Sequence, residues 1–391
     1  MLYNDYYIEN LLGFKDIILK NVKNFDNEIY IYVEMKVKEH NCPSCNSLTK
    51  NIHDYRMQPI KDIPMFGKRT YFKYRKRRYV CKRCGKRFYE KSSFSPRYHR
   101  MSLRLVKYIV HQMRNCHSIK SIATECNVTT NTVFRVFKYI NYPKAKLPKV
   151  LSIDEFKGNA GKKYQCILTD PKNKKVLDIL EGREERVLSE YFRSFKDRDR
   201  VKYFVMDMWK PYKQIAETYF KDATIVIDKY HFIRQVIWAF DRVRKEEQKK
   251  FLDSRRKYFK RSRFLLLKRM KNLKGDELDK VDVMLLTSRR LQEAYLLKEK
   301  FYDFVDSKDL YEAKKNLQAW YMFAGSCDLK EFDRCVNTIS NWEKYILNSF
   351  TCPYTNGYTE GVNNKIKVLK RNAYGVRNFD RFRNRILHMM N

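Results

Sequence analysis

The chain has no run of about twenty apolar residues and no signal-peptide pattern, so we expect no membrane span and a soluble, intracellular protein. It also lacks a G-x-x-x-x-G-K-S/T loop, the backbone cradle that holds nucleotide phosphates, so no nucleotide cofactor is implied. Acid is scarce: 45 Asp and Glu stand against 83 Lys and Arg, a formal charge of +38. Self-repulsion of that size favours a polyanionic partner, nucleic acid above all. From Phe232 to Asn348 there is no proline and hardly a glycine, while charged residues alternate with Leu, Phe and Tyr. That stretch reads as an all-helical insertion, about residues 240–348.

The ten cysteines are not spread as a secreted disulfide framework would be. Four of them form the pairs Cys42-Pro43-Ser44-Cys45 and Cys81-Lys82-Arg83-Cys84-Gly85. Two residues between thiolates let both reach one tetrahedral ion, so Cys42, Cys45, Cys81 and Cys84 are expected to hold a structural zinc. A thioredoxin-like redox pair is the competing reading. The run from Lys68 to Arg87 carries eleven basic residues and no acid. Its aromatics Tyr71, Phe72, Tyr74 and Tyr79 read as strand core, which would turn Arg75, Arg77 and Arg78 toward DNA phosphates.

Ser118 to Ile140 reads as two short helices joined by the turn Cys126-Asn127-Val128. Ile119, Ile122, Ala123, Val133, Val136 and Phe137 would face inward. Thr130, Asn131, Arg135 and Lys138 would stay exposed, as a helix reading major-groove base edges requires. An ordinary helical hairpin would have the same pattern. The linker from Tyr142 to Pro148 holds two prolines and marks a boundary. We therefore place a zinc-binding module at 1–97, a helix-turn-helix domain at 98–141 and a catalytic domain at 142–391.

Three carboxylates stand out in the last domain. Asp154 and Asp207 each end an apolar strand run, and Glu360 lies in the opening turns of a helix. A strand-ending Asp can be a mere turn-former. The order strand-Asp, strand-Asp, helix-Glu on one mixed sheet argues instead for convergence on divalent metal and for cutting and joining nucleic acid. At about 100° per residue, Val362, Ile366 and Leu369 share one face of that helix. Glu360, Asn363, Asn364, Lys367 and Arg371 share the other, where amides and cations would hold phosphates. Asp228 also ends a strand and rivals Asp207, and His231 follows it by three residues; both are expected to support the site from behind, with a structural hydrogen-bonded pair as the alternative. Trp238, Trp320 and Trp342 are expected in the core, with stacking on unpaired bases as the alternative.

The segments Leu151–Phe156, Met206–Tyr212, Ile227–Phe232 and Asn356–Lys367 resemble DDE transposases of bacterial insertion sequences, most closely the family called ISL-three. The resemblance covers nearly the whole chain. It implies an α/β, RNase H-like mixed-sheet catalytic domain with an all-helical insertion, preceded by a zinc-ribbon-like module and a helix-turn-helix domain. It also implies that Asp154, Asp207 and Glu360 form the DDE triad, holding two Mg²⁺ (or Mn²⁺) ions for phosphoryl transfer. The implied partners are double-stranded DNA, as element ends and target, and a second copy of the chain as a homodimer on that DNA.

Overall fold

Largely alternating, β-prone segments make the first layer a sheet. The computed structural model describes residues 13, 16–158, 164–261, 263–373 and 375–391. Its strands in the first part are β1 (Ile17–Asn24), β2 (Glu28–Met35), β3 (His40–Asn41), β4 (Leu48–Thr49), β5 (Ile52–Met65), β6 (Lys68–Val80) and β7 (Arg87–Tyr89). The order β1-β2-β6-β5 forms one sheet, with β7 also on β6; β2 and β6 run parallel and the other pairs antiparallel. β5 and β6 are joined by a two-residue turn in which Phe66 and Gly67 both have positive φ, 53° and 72°, the twist that suits a tight hairpin. Ile31, Val33, Ile60, Phe72, Tyr74 and Phe94 fill the core beneath.

Three helices follow: α1 (Leu103–Gln112), α2 (Ile119–Glu125) and α3 (Thr130–Phe137). Ser102, Ser118 and Thr129 each accept a backbone N–H at the respective N-terminus. Asn127 takes the left-handed conformation at φ 52°, closing the turn between α2 and α3. Leu105, Ile109, Ile122, Ala123, Val133 and Phe137 form the shared core.

The second part opens on β8 (Val150–Lys157), β9 (Tyr164–Asp170) and β10 (Lys175–Leu180), an antiparallel meander. Then come α4 (Glu185–Arg193), β11 (Tyr203–Met206), α5 (Lys210–Tyr219) and β12 (Thr224–Ile227). β11 pairs parallel with both β8 and β12, giving the mixed order β10-β9-β8-β11-β12. One sheet face carries Leu151, Ile153, Phe204, Met206 and Ile227 into the large core; the other carries Val150, Val205 and Val226.

From residue 229 to 350 the described residues hold helices and no strand: α6 (Lys229–Lys249), α7 (Asp253–Arg261), α8 (Arg263–Leu267), α9 (Asp276–Leu286), α10 (Arg289–Val305), α11 (Leu310–Ser326) and α12 (Lys330–Leu347). Phe240, Leu266, Leu297, Phe301, Leu317 and Ile339 extend the large core through them. Helix formation thus starts about ten residues before the expected boundary, because Asp228 caps α6 directly off β12. The chain ends in α13 (Gly357–Asn372) and α14 (Phe379–Met390). No described helix is long and apolar enough to cross a membrane.

The chain divides into two compact units. One takes the described residues up to Tyr142 together with Lys367–Met389; the other takes Pro143–Ile366 with Met390 and Asn391. The sequence reading placed 367–389 in the catalytic domain. Its grouping with the first unit has a polar cause: Arg385 donates to the Asn115 and His117 carbonyls, and His388 contacts the Val110 carbonyl and the Tyr142 hydroxyl.

Candidate functional site

Strand register sets the acids side by side. Val205 pairs with Ser152 and Met206 with Ile227. Continued by one or two residues, both parallel registers put Asp154, Asp207 and Asp228 abreast on neighbouring strands, about 4.8 Å apart strand to strand. Asp154, Glu155 and Asp207 each offer a carboxylate oxygen within 4.8 Å of the others. Asp154 is 9% exposed and Asp207 8%. Burial, and then the Asp207 charge, push the Asp154 carboxyl up to about 8. Glu155 is also raised, by burial against the opposing pull of Arg183.

Like charges this close persist only if a proton or a cation lies among them. An all-oxygen donor set suits a hard divalent ion of the Mg²⁺ or Mn²⁺ kind. Asn363 adds a buried side-chain oxygen without a hydrogen-bond partner next to Asp154. The donors present therefore fit a divalent cation.

The first turns of α13 are tied to these acids. Asn356 Nδ2 donates to Asp207 Oδ1 at 3.4 Å, and its backbone N–H to Asp228 Oδ2 at 2.8 Å. Asn363 Nδ2 donates to Asp154 Oδ2 at 2.7 Å. Beneath them a buried hydroxyl cluster links Ser152 to Asn356 and Thr359, and Thr169 to Thr359. Glu360 lies one turn after Asn356 and about one turn before Asn363; at about 100° per residue the three fall within roughly 60° of one another. The Glu360 side chain is exposed and stands outside the group of three converging carboxylates. Val362, Ile366 and Leu369 are buried on the other face, as the wheel requires.

Asp228 is not among the converging acids. One of its oxygens caps α6 at Tyr230 and the other accepts from Asn356. His231 Nε2 contacts Asp207 Oδ1 at 2.8 Å, while Arg234 approaches its Nδ1 at 3.2 Å. With Nδ1 accepting from a guanidinium, the ring proton sits on Nε2 and points at Asp207. Burial disfavours charge on this ring, but the Asp207 contact outweighs it and raises its proton affinity.

Two expected phosphate contacts are corrected. Arg77 is 2% exposed, and its guanidinium is held by Glu34 at 2.9 Å, Glu90 at 3.3 Å and the Met35 carbonyl at 2.7 Å. The buried side of β6 changes from Phe72 and Tyr74 to Arg77 and Tyr79, so strict alternation misplaces it. Asn363, 7% exposed, faces Asp154 rather than solvent. Of the other two arginines, Arg75 is exposed and lies over the Tyr55 ring at 3.8 Å, and Arg78 is paired with Asp54. Asn364, Lys367 and Arg371 are exposed on α13.

Sequence reasoning missed Glu155, because a neighbour of Asp154 in a strand should face away. Its longer side chain, held by Arg183 at 2.6 Å, reaches back to the cluster. It also missed Asn356, although that residue opens the same Asn-Gly segment as Glu360.

The four knuckle cysteines come together, each with its sulfur within 4.8 Å of the rest. Hydrogen bonding with the Ser47 side chain and backbone pulls Cys45 down to about 6, toward the thiolate that binds zinc. Thr130, Asn131, Arg135 and Lys138 are all exposed along α3.

Comparison with known proteins agrees with each module. Residues 151–386 match a transposase family, 38–84 match the zinc-finger of transposase IS204/IS1001/IS1096/IS1165, and 90–141 match the helix-turn-helix domain of transposase family ISL3. The transposase for insertion sequence element IS1001 of Bordetella parapertussis is 26% identical over 365 residues, covering 90% of this chain and 89% of that protein. A local match, 34% identical over 111 residues, covers 28% of this chain and 34% of a Lactococcus lactis subsp. lactis protein named ATP-dependent protease. With the transposase match spanning more than half of its length, and with a four-cysteine cluster that supports a structural zinc and a DNA-binding helix-turn-helix in family order, the chain belongs to transposase family ISL3.

Proposed function

We propose that this chain binds the terminal inverted repeats of its own insertion sequence, cuts them and joins the freed ends to target DNA. The catalytic unit is read as RNase H-like, with Asp154, Asp207 and Glu360 as the acids that hold divalent metal. The observation that carries this reading is the convergence of Asp154, Glu155 and Asp207 beneath the first turns of α13. Two Mg²⁺ (or Mn²⁺) ions, when bound, would activate the attacking oxygen and stabilise the leaving one.

The chain's own residues prepare that site. Asn363 and Asn356 fix the carboxylates of Asp154 and Asp207, and His231 contacts the same Asp207 oxygen as Asn356. Glu360 shares the helix face of the two asparagines and would complete the donor set on turning toward the bound cation. Thr130, Asn131, Arg135 and Lys138 on α3 would read the repeat, with Arg75, Arg78, Asn364, Lys367 and Arg371 on backbone phosphates. One zinc at Cys42, Cys45, Cys81 and Cys84 would hold the first module in shape. Pairing of two DNA ends favours a homodimer on DNA, in the bacterial cytoplasm at the nucleoid.

The test uses the purified full chain, Mg²⁺, a duplex carrying the repeats that border the coding gene, and a supercoiled plasmid as target. Cleaved ends and plasmid-joined products are expected. Asp154→Ala, Asp207→Ala and Glu360→Ala should each abolish cleavage with end binding within about twofold of wild type, since phosphate contacts by distant cations set that binding. Cleavage without joining would make the protein a nuclease, and binding without metal-dependent cleavage a regulator; either result overturns the proposal.

A further inference from the structure

The tryptophans separate sharply. Trp320 and Trp342 are buried, at 1% and 7%, and Trp320 Nε1 donates to the Leu297 carbonyl. Trp238 is 49% exposed, although it sits on α6, whose opposite face is buried core. An indole left half in solvent on a well-packed helix has no packing reason to be one.

Its surroundings have a direction. At about 100° per residue, His231, Gln235, Trp238 and Arg242 fall within roughly 60° on one ridge of α6. That ridge starts at the catalytic centre, where His231 contacts Asp207 at 2.8 Å. Arg234 links the two ends: it approaches His231 Nδ1 at 3.2 Å and lies over the Trp238 ring at 4.7 Å. The Arg234 Nε is buried and has no partner, a spare donor along the ridge. Beside Trp238 opens a cavity of about 350 Å³ lined by Gln235, Arg242, Arg334 and Thr338. It offers an aromatic ring, two guanidinium groups and two neutral polar side chains, and no carboxylate lines it.

These features match an unpaired nucleotide: a ring to stack on the base, amide and hydroxyl for its edge, and cations for its phosphates. At about 1.5 Å per helical residue, Trp238 lies roughly 10 Å along α6 from His231, one or two nucleotides of extended strand. We infer that the α6 ridge is a binding site for single-stranded DNA next to the cut, with one base stacked on Trp238. A paired base keeps both faces in the duplex and cannot use it. The inference rests on the transposase reading for its substrate but not on the metal chemistry.

The test measures binding by the full chain, metal-free in EDTA, to a labelled ten-residue oligo-dT and to a ten-base-pair duplex. The other basic surfaces contribute to both probes, so the single-strand to duplex affinity ratio isolates the ridge. Trp238→Ala should lower that ratio about fivefold to tenfold, the low end of one base–aromatic stack, and Trp238→Phe should keep most of it. Placing one abasic residue along the oligo should reduce wild-type binding at some position and leave Trp238→Ala unaffected at that position. An unchanged ratio in Trp238→Ala, or an equal loss for both probes, overturns the inference. Mg²⁺-dependent cleavage retained in the acid variants, with the ratio intact in wild type and lowered in Trp238→Ala, would instead count against the catalytic reading alone.

Discussion

Asp154→Asn should make the metal-free protein more stable while destroying its response to metal. Burial and Asp207 lift the Asp154 carboxyl from 3.8 to about 8. An acid with a raised folded-state pKa contributes its full stability below the ordinary carboxylate range, and loses it progressively as pH rises to about 8. Some four units at about 1.4 kcal/mol each set a ceiling on the order of 5 kcal/mol for keeping that charge in place. The amide removes the charge but weakens the bond from the Glu155 N–H, which Asp154 accepts at 2.7 Å, a loss of about 1–2 kcal/mol. Above pH 8 the net gain is then at most about 3–4 kcal/mol, or roughly 6–16 °C in Tm for a unit of this size. Thermal unfolding from pH 5 to 9, with EDTA or with Mg²⁺, reads this directly. The difference between variant and wild type should grow with pH, and Mg²⁺ should raise the wild-type Tm but leave Asp154→Asn unmoved. Parallel Tm curves for the two proteins in EDTA, or equal Mg²⁺ shifts, would refute the claim that charge repulsion is stored at this position.

Two further expectations concern the first unit. Arg77→Ala should destabilise it by about 3–5 kcal/mol, because Glu34 and Glu90 would lose the cation that pairs them, whereas Arg75→Ala at the exposed end should cost at most about 1 kcal/mol; urea melts of both variants check this. Cys42→Ser should drop zinc content from one ion per chain to near none by elemental analysis and unfold the knuckle, while the Mg²⁺-dependent Tm shift of the catalytic unit persists.

The strands carrying Asp154 and Asp207 were legible, because an apolar run of four or five residues ending in Asp reads as a buried strand; β8, however, runs on to Lys157, so Asp154 sits inside its strand and not at the tip. The knuckles were legible from spacing alone, and the short helices of the DNA-binding module from their apolar stripes and the turn between them. Arg77 was not, since strand alternation assumes that one face stays buried along the whole length, and β6 changes its buried side after Tyr74. Nor was Asn363, because a helical wheel gives the angle of a side chain but not what approaches it. Glu155 escaped for a related reason: parity describes where Cβ points, and a Glu side chain inside a strand is long enough to bring its carboxylate back to the cluster. The return of 367–389 to the first unit depends on backbone carbonyls of Asn115 and His117, which no side-chain pattern announces.

The placement of Glu360 follows from how α13 is fastened. A helix whose first turns bond to the acids must keep its register, yet this one opens over a face that carries aspartates rather than an apolar core. Apolar burial by Val362, Ile366 and Leu369 fixes its rotation only further along. The register at its start is fixed instead by directional bonds: Asn356 to Asp207, Asp228 and Ser152, Thr359 to Ser152 and Thr169, and Asn363 to Asp154. Slipping by one residue would leave several buried polar groups unpaired at about 1–3 kcal/mol each, more than one weak contact could recover. The same aspartates that repel each other therefore also hold the helix. A cation that relieves the repulsion need not disturb the register, which keeps Glu360 on the same face of α13 as Asn363.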